Sequence, residues 1–277
     1  MKHLIISDIH GNFTDLQAMD DYLTDDMVPV FLGDYIDDFG PTQPLQVLDY
    51  IRDKVENHHG IALLGNHDNF WLQTADGDYD AYAGWKRNGG KYTWTTLGID
   101  NKSFAGVREF LNTELSDYTE FLRQLPLTYS DENRFYVHAG INWEHALNEQ
   151  SRRDLLWIRG DYYYTKELAQ YLQRFNLLGL WQVVGKALHG DDIITMQQPP
   201  YHRNDLGKVI VTGHTPTFLI TGNDSMPIVK MQHDENDVPR YVIDGGSPAR
   251  TESPAGINLL GLNDDGTEFL NERMVGK

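Results

Sequence analysis

Six short apolar runs in this chain each stop abruptly at residues able to hold a proton or a metal ion, and that repeated junction narrows the fold more than any other feature. Leu4-Ile5-Ile6 precedes Ser7-Asp8, Val30-Phe31-Leu32 precedes Gly33-Asp34, and Ile61-Ala62-Leu63-Leu64 precedes Gly65-Asn66-His67. Downstream, Phe135-Tyr136-Val137 leads into His138-Ala139-Gly140, Val209-Ile210-Val211 into Thr212-Gly213-His214, and Tyr241-Val242-Ile243 into Asp244-Gly245-Gly246. Runs this short, bounded by glycine and polar residues, read as buried strands. Between the early ones lie segments of helical period. Phe13, Leu16, Met19 and Leu23 share a face after a cap at Asn12, and Leu45, Leu48, Ile51 and Val55 do so after Thr42, with Pro44 in the first turn. A third helix is expected from Ser116 to about Leu125, where Pro126 stops it. Strand and helix in alternation predict an α/β chain, and in open α/β sheets ligands bind beyond the carboxyl ends of the strands.

Length and composition limit the function. A chain of 277 residues is read as a single domain over residues 1–277. Two aromatic-rich segments, at about 69–113 and about 142–206, are expected as insertions over the site; they carry Trp71, Trp85 and Trp94, then Trp143, Trp157, Trp181 and Tyr162 to Tyr164. The last third reads as short strands, with Asn263-Asp264-Asp265-Gly266 turning a hairpin between Ile257–Leu262 and Thr267–Leu270. The chain has no cysteine, so disulfides, thiolate metal sites and a cysteine nucleophile are excluded. A formal charge of −18 argues against general nucleic-acid binding or binding to an anionic membrane. No stretch approaches the roughly 20 apolar residues of a membrane helix, and MKHLIISDIHGN does not read as a signal peptide, so a cytoplasmic location is expected.

The strand ends carry Asp8, His10, Asp34, Asn66, His67, His138 and His214, all oxygen or nitrogen donors. Carboxylates mixed with an amide and several imidazoles suit manganese, iron or zinc better than calcium, which prefers oxygen alone. Each short motif is weak evidence singly, but SDIHGN, GDYID, GNHD, VHAG and GHT occur in that order, each at the end of an apolar run. In that order they resemble the calcineurin-like metallophosphoesterases, specifically the phosphoprotein-phosphatase branch in its bacterial form, which includes symmetrical dinucleoside tetraphosphatases. The resemblance runs from Asp8 to His214.

It implies two mixed β-sheets packed as a sandwich and flanked by helices, a four-layer α/β/β/α fold. It also implies two divalent metal ions, with manganese first and iron or zinc as the alternatives. Carried over by motif, Asp8 and His10 would hold one ion, Asn66, His138 and His214 the other, and Asp34 would bridge them. Asn66 would also face the phosphate. A water shared by two such ions is acidified toward hydroxide, a nucleophile for attack on phosphorus. His67 would protonate the leaving group, with Asp37 behind it to orient it and keep it charged. Leu155-Leu156-Trp157-Ile158-Arg159 looks like the LLWIR element of bacterial members, whose arginine faces the phosphate, and Asn88-Gly89-Gly90 resembles a further bacterial element.

The pattern breaks at two positions. Where the family's protein phosphatases place an arginine after the aspartate matching Asp37 and another before GNH, this chain has Asp38 and Leu64. GNHD and HAGINWEHAL lie closer to the dinucleoside tetraphosphatases. The resulting expectation is a dinuclear-metal phosphoesterase acting on phosphomonoesters, with phosphoserine or phosphothreonine in proteins as its specific form. The alternatives are a dinucleoside tetraphosphate hydrolase and a non-catalytic metal-binding scaffold or sensor. Expected partners are accordingly a phosphorylated protein, a small phosphoester or a nucleotide.

Overall fold

The computed structural model describes residues 1–38, 40–165, 201–221, 228–246 and 256–274. Among them are two five-stranded mixed sheets. The first has the order β10-β9-β1-β2-β3, built from β1 (Lys2–Ile6), β2 (Met27–Phe31), β3 (Ile61–Ala62), β9 (Ile257–Leu262) and β10 (Glu268–Met274). The second has the order β4-β5-β6-β8-β7, built from β4 (Thr128–Ser130), β5 (Arg134–Val137), β6 (Val209–Thr212), β7 (Val229–Met231) and β8 (Arg240–Val242). β1, β2 and β3 run parallel, as do β5, β6 and β8, while the hairpin partner β9 and the edge strands β4 and β7 run antiparallel to their neighbours. All six parallel strands therefore end on loops that carry the residues singled out above.

The strands read as continuous apolar runs because both faces are covered, as expected for parallel strands inside a layered fold. In β1, Ile5 points into the core between the sheets with Val30, Leu32, Tyr136, Val211, Tyr241 and Leu260. Its neighbours Leu4 and Ile6 point the other way, into a helix-side core with Phe31, Leu48, Ile51 and Trp71. A third cluster, including Phe135, Val137, Ile210, Val242 and Tyr162 to Tyr164, covers the outer face of the second sheet. This is the packed sandwich that the resemblance implied.

The helices follow their local signals. Asn12 caps α1 (Phe13–Gln17) by accepting from Asp15 N–H, and Pro44 opens α2 (Pro44–Asn57) at a position where its missing N–H costs nothing. Pro126 follows α7 (Ser116–Gln124), as expected. The first aromatic-rich segment is helical: α3 (Asn66–Asp76), α4 (Tyr79–Trp85), α5 (Lys91–Leu97) and α6 (Phe104–Asn112). Asn66 and His67 therefore open a helix and do not lie in a plain strand-end turn. Most of the second segment, Trp181 included, lies outside the described residues; its start forms α8 (Arg152–Trp157) and α9 (Gly160–Tyr163). Among the described residues no helix is long and apolar enough to cross a membrane.

A buried polar contact bridges the two sheets: His3 Nδ1 lies 2.8 Å from Tyr136 Oη. Burial, then the nearby Arg134 guanidinium, pulls the His3 pKa down to about 4. The folded protein thus holds His3 neutral where the unfolded chain takes up a proton. Stability from this residue is complete above pH 6.5 and is lost as pH falls toward 4, on the order of 3 kcal/mol in all. Urea unfolding at pH 7 and pH 4.5 should show a smaller acid loss in His3→Gln than in the parent chain; equal losses would contradict this assignment.

Candidate active site

Six non-glycine residues among those described have positive φ, and five of them stand where strands deliver the site: Asp8 (53°), His10 (50°), Asp34 (57°), Asp37 (69°) and His214 (65°). A left-handed backbone at such residues costs on the order of 1–3 kcal/mol each, and it persists only where surrounding contacts dictate it. Those contacts are visible. Asp68, at the third position of α3, accepts from the backbone N–H groups of Asp34 (2.9 Å), Tyr35 (3.0 Å) and Gly65 (3.0 Å). His67 N–H in turn donates to Asp34 Oδ1 at 2.9 Å. One buried carboxylate thus pins the loop after β2 to the start of α3, and burial, then Asp34, pushes the Asp68 pKa up to about 7.

Two groups of donors share Asp34. His10, Asp34 and His67 place ligand atoms within 4.8 Å of one another, and so do Asp34, His138 and His214. His138 Nδ1 donates to the Leu32 carbonyl at 2.9 Å, and burial holds its ring neutral by lowering the pKa, so Nε2 presents a lone pair. That lone pair meets Asn66 Oδ1 at 2.9 Å and Asp34 Oδ1 at 3.5 Å, both acceptors. His214 Nε2 is buried without a hydrogen-bond partner. Burial, then Arg159, holds the His214 pKa well below its ordinary value, and its ring also has a hydrogen bond with the Trp157 backbone. Lone pairs converging on each other from carboxylate, amide and neutral imidazole call for a cation between them, so these residues fit a divalent metal.

The other group has a different electrostatic character. His10 Nδ1 donates to the carbonyls of Ile36 and Asp37, at 3.2 and 3.0 Å, leaving Nε2 toward Asp34 Oδ2 at 3.9 Å. Burial alone would lower the His10 pKa, but Asp34, Asp38, Asp244 and Asp37 outweigh it and raise it. The same negative field favours a bound cation, which would displace that proton. Asp8 lies deeper. Its carboxylate accepts from His214 N–H at 3.0 and 2.9 Å and from Ser7 Oγ at 2.5 Å, and burial, then Asp244 and Asp34, raises its pKa well above the carboxylate range. Asp8 thus ties the first sheet's strand end to the second's and stands outside both donor groups.

Beside the metal ligands expected from the sequence, His67 Nδ1 meets Asp37 Oδ2 at 2.8 Å. Burial lowers the His67 pKa but Asp34 and then Asp37 raise it further, for a net rise. Arg159 donates to the His214 carbonyl (3.0 Å) and Thr215 Oγ1 (2.9 Å), bracing that loop while its side chain lines the cleft. The cleft holds about 170 Å³ and also exposes His10, Asp34, Asp38, Asn66, Trp157 and Asp244. Among the described lining residues Arg159 is the only lysine or arginine. Arg87 is exposed and lies outside the lining.

Three functional neighbours were not read from the sequence. Asp244 carries the same apolar-run-then-donor signature as the other strand ends, yet Asp-Gly-Gly reads equally well as a turn; it is buried and opens onto the cleft. Asp68 was visible as the fourth residue of GNHD, a helix N-terminal cap pattern. Trp85, whose Nε1 donates to both oxygens of Asp37 at 2.8 Å, gave no signal, since its position depends on how α4 packs.

The model of the calcineurin-like phosphoesterase family matches residues 1–243. A search of curated protein sequences gives no significant match. Solved structures with this fold include a candidate diadenosine tetraphosphatase (14% identity, TM-score 0.54, covering 100% of this chain and 95% of that one). A metallophosphoesterase from Sphaerobacter thermophilus aligns at 19% identity and TM-score 0.51 (100% and 90% covered). A protein serine/threonine phosphatase from Saccharomyces cerevisiae aligns at 12% and 0.52 (100% and 80%). At such identities the likeness speaks for the fold.

Close backbone approach makes the site sensitive to single methyl groups. A Cβ on Gly65 would lie 2.1 Å from Asp34 N and 2.3 Å from Asp34 Oδ1, and one on Gly213 would lie 2.0 Å from both Asp8 Oδ2 and Ser7 Oγ. After loading with manganese as a probe ion, Gly65→Ala and Gly213→Ala should therefore retain at least severalfold less metal by elemental analysis. Gly106→Ala, whose methyl meets nothing closer than 3.4 Å, should leave it unchanged.

Proposed function

This chain belongs to the calcineurin-like phosphoesterase family, and on that footing we propose that its metal-dependent phosphoesterase site acts on phosphate monoesters. The observation that carries this reading is the His67–Asp37 pair, set at 2.8 Å, with His67 itself among the donors gathered on Asp34. Asp8, His10, Asp34, Asn66, His138 and His214 are the proposed ligands of two ions. When bound, such a pair supplies a nucleophilic water at neutral pH and positive charge against the phosphate oxygens.

The chain's own groups do the rest. Asp37 holds the proton of His67 on Nδ1, so Nε2 faces the cleft and, in the charged ring, donates a proton to the departing oxygen. Arg159, fixed by the His214 carbonyl and Thr215, offers its guanidinium to the phosphate, where a planar fork binds two oxygens at once. Asn66 reaches the same oxygens from the start of α3. Asp38 and Asp244 add negative charge to a cleft whose described lining holds one arginine and no lysine. That balance supports a compact monoester and disfavours a polyphosphate chain, whose charge would need several cations.

One observation favours the second reading, a dinucleoside polyphosphate hydrolase: Trp157 lines the cleft and is 37% exposed, a surface on which a base can stack. A panel of phosphopeptides, alkyl and aryl monoesters and a dinucleoside tetraphosphate, run with manganese, separates the two. The monoester reading expects the higher kcat/KM on monoesters; nucleotide products formed faster from the tetraphosphate would reverse it. His67→Asn should lower kcat on alkyl monoesters by roughly 10²–10⁴ with metal content kept. Full activity in that variant would remove His67 from the mechanism.

A further inference from the structure

Asp37 is fully buried, and an ionised carboxylate in such a place needs donors on it. His67 supplies one, on Oδ2. The other comes from behind: Trp85 Nε1 lies 2.8 Å from both Oδ1 and Oδ2, so the indole N–H is shared between the two carboxylate oxygens. The Asp37 backbone is held as well, its N–H donating to Thr93 Oγ1 at 3.0 Å.

Trp85 itself has little freedom. It is fully buried, with its ring 5.9 Å from that of Trp71 and 5.4 Å from that of Trp94, the latter nearly perpendicular. Immediately after it the chain kinks between α4 and α5 over Lys86–Gly90, with Asn88 and Gly89 outside helical angles and Gly89 at φ 91°. The kink has two consequences. Gly90 lets the indole lie against the backbone, since a Cβ there would sit 2.4 Å from Trp85 Cδ1, and Gly89 lets the turn approach Asp38, with a Cβ site 3.0 Å from the Asp38 carbonyl.

We propose that Trp85 is a positioning residue for leaving-group protonation, orienting the Asp37 carboxylate so that His67 Nε2 is aimed at the departing oxygen. The inference rests on the monoesterase reading given above. An indole N–H suits the task chemically: it donates, cannot accept the proton that Asp37 must leave on His67, and brings no charge to compete for the carboxylate. In the step itself the water oxygen bonds to phosphorus while the bond from phosphorus to the ester oxygen breaks. The proton on Nε2 passes to that oxygen, giving the free alcohol and inorganic phosphate, and the neutral imidazole then takes a proton back from water.

The test exploits the leaving group. An alkoxide requires the proton, whereas a nitrophenolate departs without it. In Trp85→Phe, and in a chain carrying 3-benzothienylalanine at position 85 alone, which keeps the bicyclic shape without the N–H, kcat on an alkyl phosphate should fall roughly tenfold or more. KM, metal content and kcat on p-nitrophenyl phosphate should change little. Combined with Asp37→Ala, Trp85→Phe should cause no further loss. Equal falls on both substrates, additive losses, or unchanged alkyl turnover in the benzothienyl chain would overturn the proposal. If the parent chain turns over no phosphoester, the monoesterase reading fails by itself. The orienting contact is then read by proton NMR of the magnesium-loaded protein: a low-field His67 Nδ1–H signal lost in both chains supports it, and one retained in both rejects it.

Discussion

Asp34 stands between two histidine groups, and its carboxylate can serve both only if the ends of strands from two different sheets are brought within a few ångströms of it. The packing between the sheets makes this unavoidable. Ile5, Val30 and Leu32 on one side meet Tyr136, Val211 and Tyr241 on the other, so the loops after β1, β2, β5 and β6 emerge at one edge. The remaining adjustment is backbone against backbone. Asp68 gathers three N–H groups around Asp34, Gly65 leaves no side chain between them, and Asp8 is bound to the N–H of His214. Left-handed φ at five of these residues is the local consequence of meeting all those contacts at once.

Environment then divides one residue type into two behaviours. His138 and His214 are enclosed, and burial dominates, so both stay neutral and offer lone pairs. His10 and His67 face the carboxylates, and attraction to Asp34 leads the forces that hold a proton on them against burial. Imidazoles that keep their lone pairs suit metal binding, and an imidazole that keeps its proton suits acid catalysis. The proposed separation between ligand and acid follows that division for His138, His214 and His67, whereas His10, a proposed ligand, would give up its proton to a bound cation. The separation is reinforced at His67 by Asp37 and, behind it, by Trp85.

Much of this was legible before any coordinates. Short apolar runs stopping at donors identified the strands and the end of the sheet where the site lies, because a buried strand must be apolar and its exit loop is where polar groups can converge. The order of the motifs identified the family. Less legible was anything whose partner is remote and whose own residue type is common. Asp244 shares the strand-end signature but reads as a turn, and Asp68 reads as a helix cap, although its carboxylate organises two loops. Trp85 looks like ordinary core. Arg159 was expected against the phosphate, and it also braces the His214 loop, a role that depends on Thr215 lying 56 positions away along the chain.

By itself, then, the sequence determined the alternation of strands and helices, the absence of thiol chemistry and which oxygen- and nitrogen-bearing residues stand at the strand ends, since these depend on residue type and on spacing along one segment; the two-sheet sandwich came from the resemblance to the family. Tertiary structure decided which donors share a position and which histidines carry a proton. It also left Asp8 outside both donor groups, left Asp38 lining a cleft whose described residues hold one arginine and no lysine, and put an indole behind Asp37. Those outcomes depend on distances between segments up to 206 residues apart and on how deeply each group is buried, and neither quantity is written in local spacing.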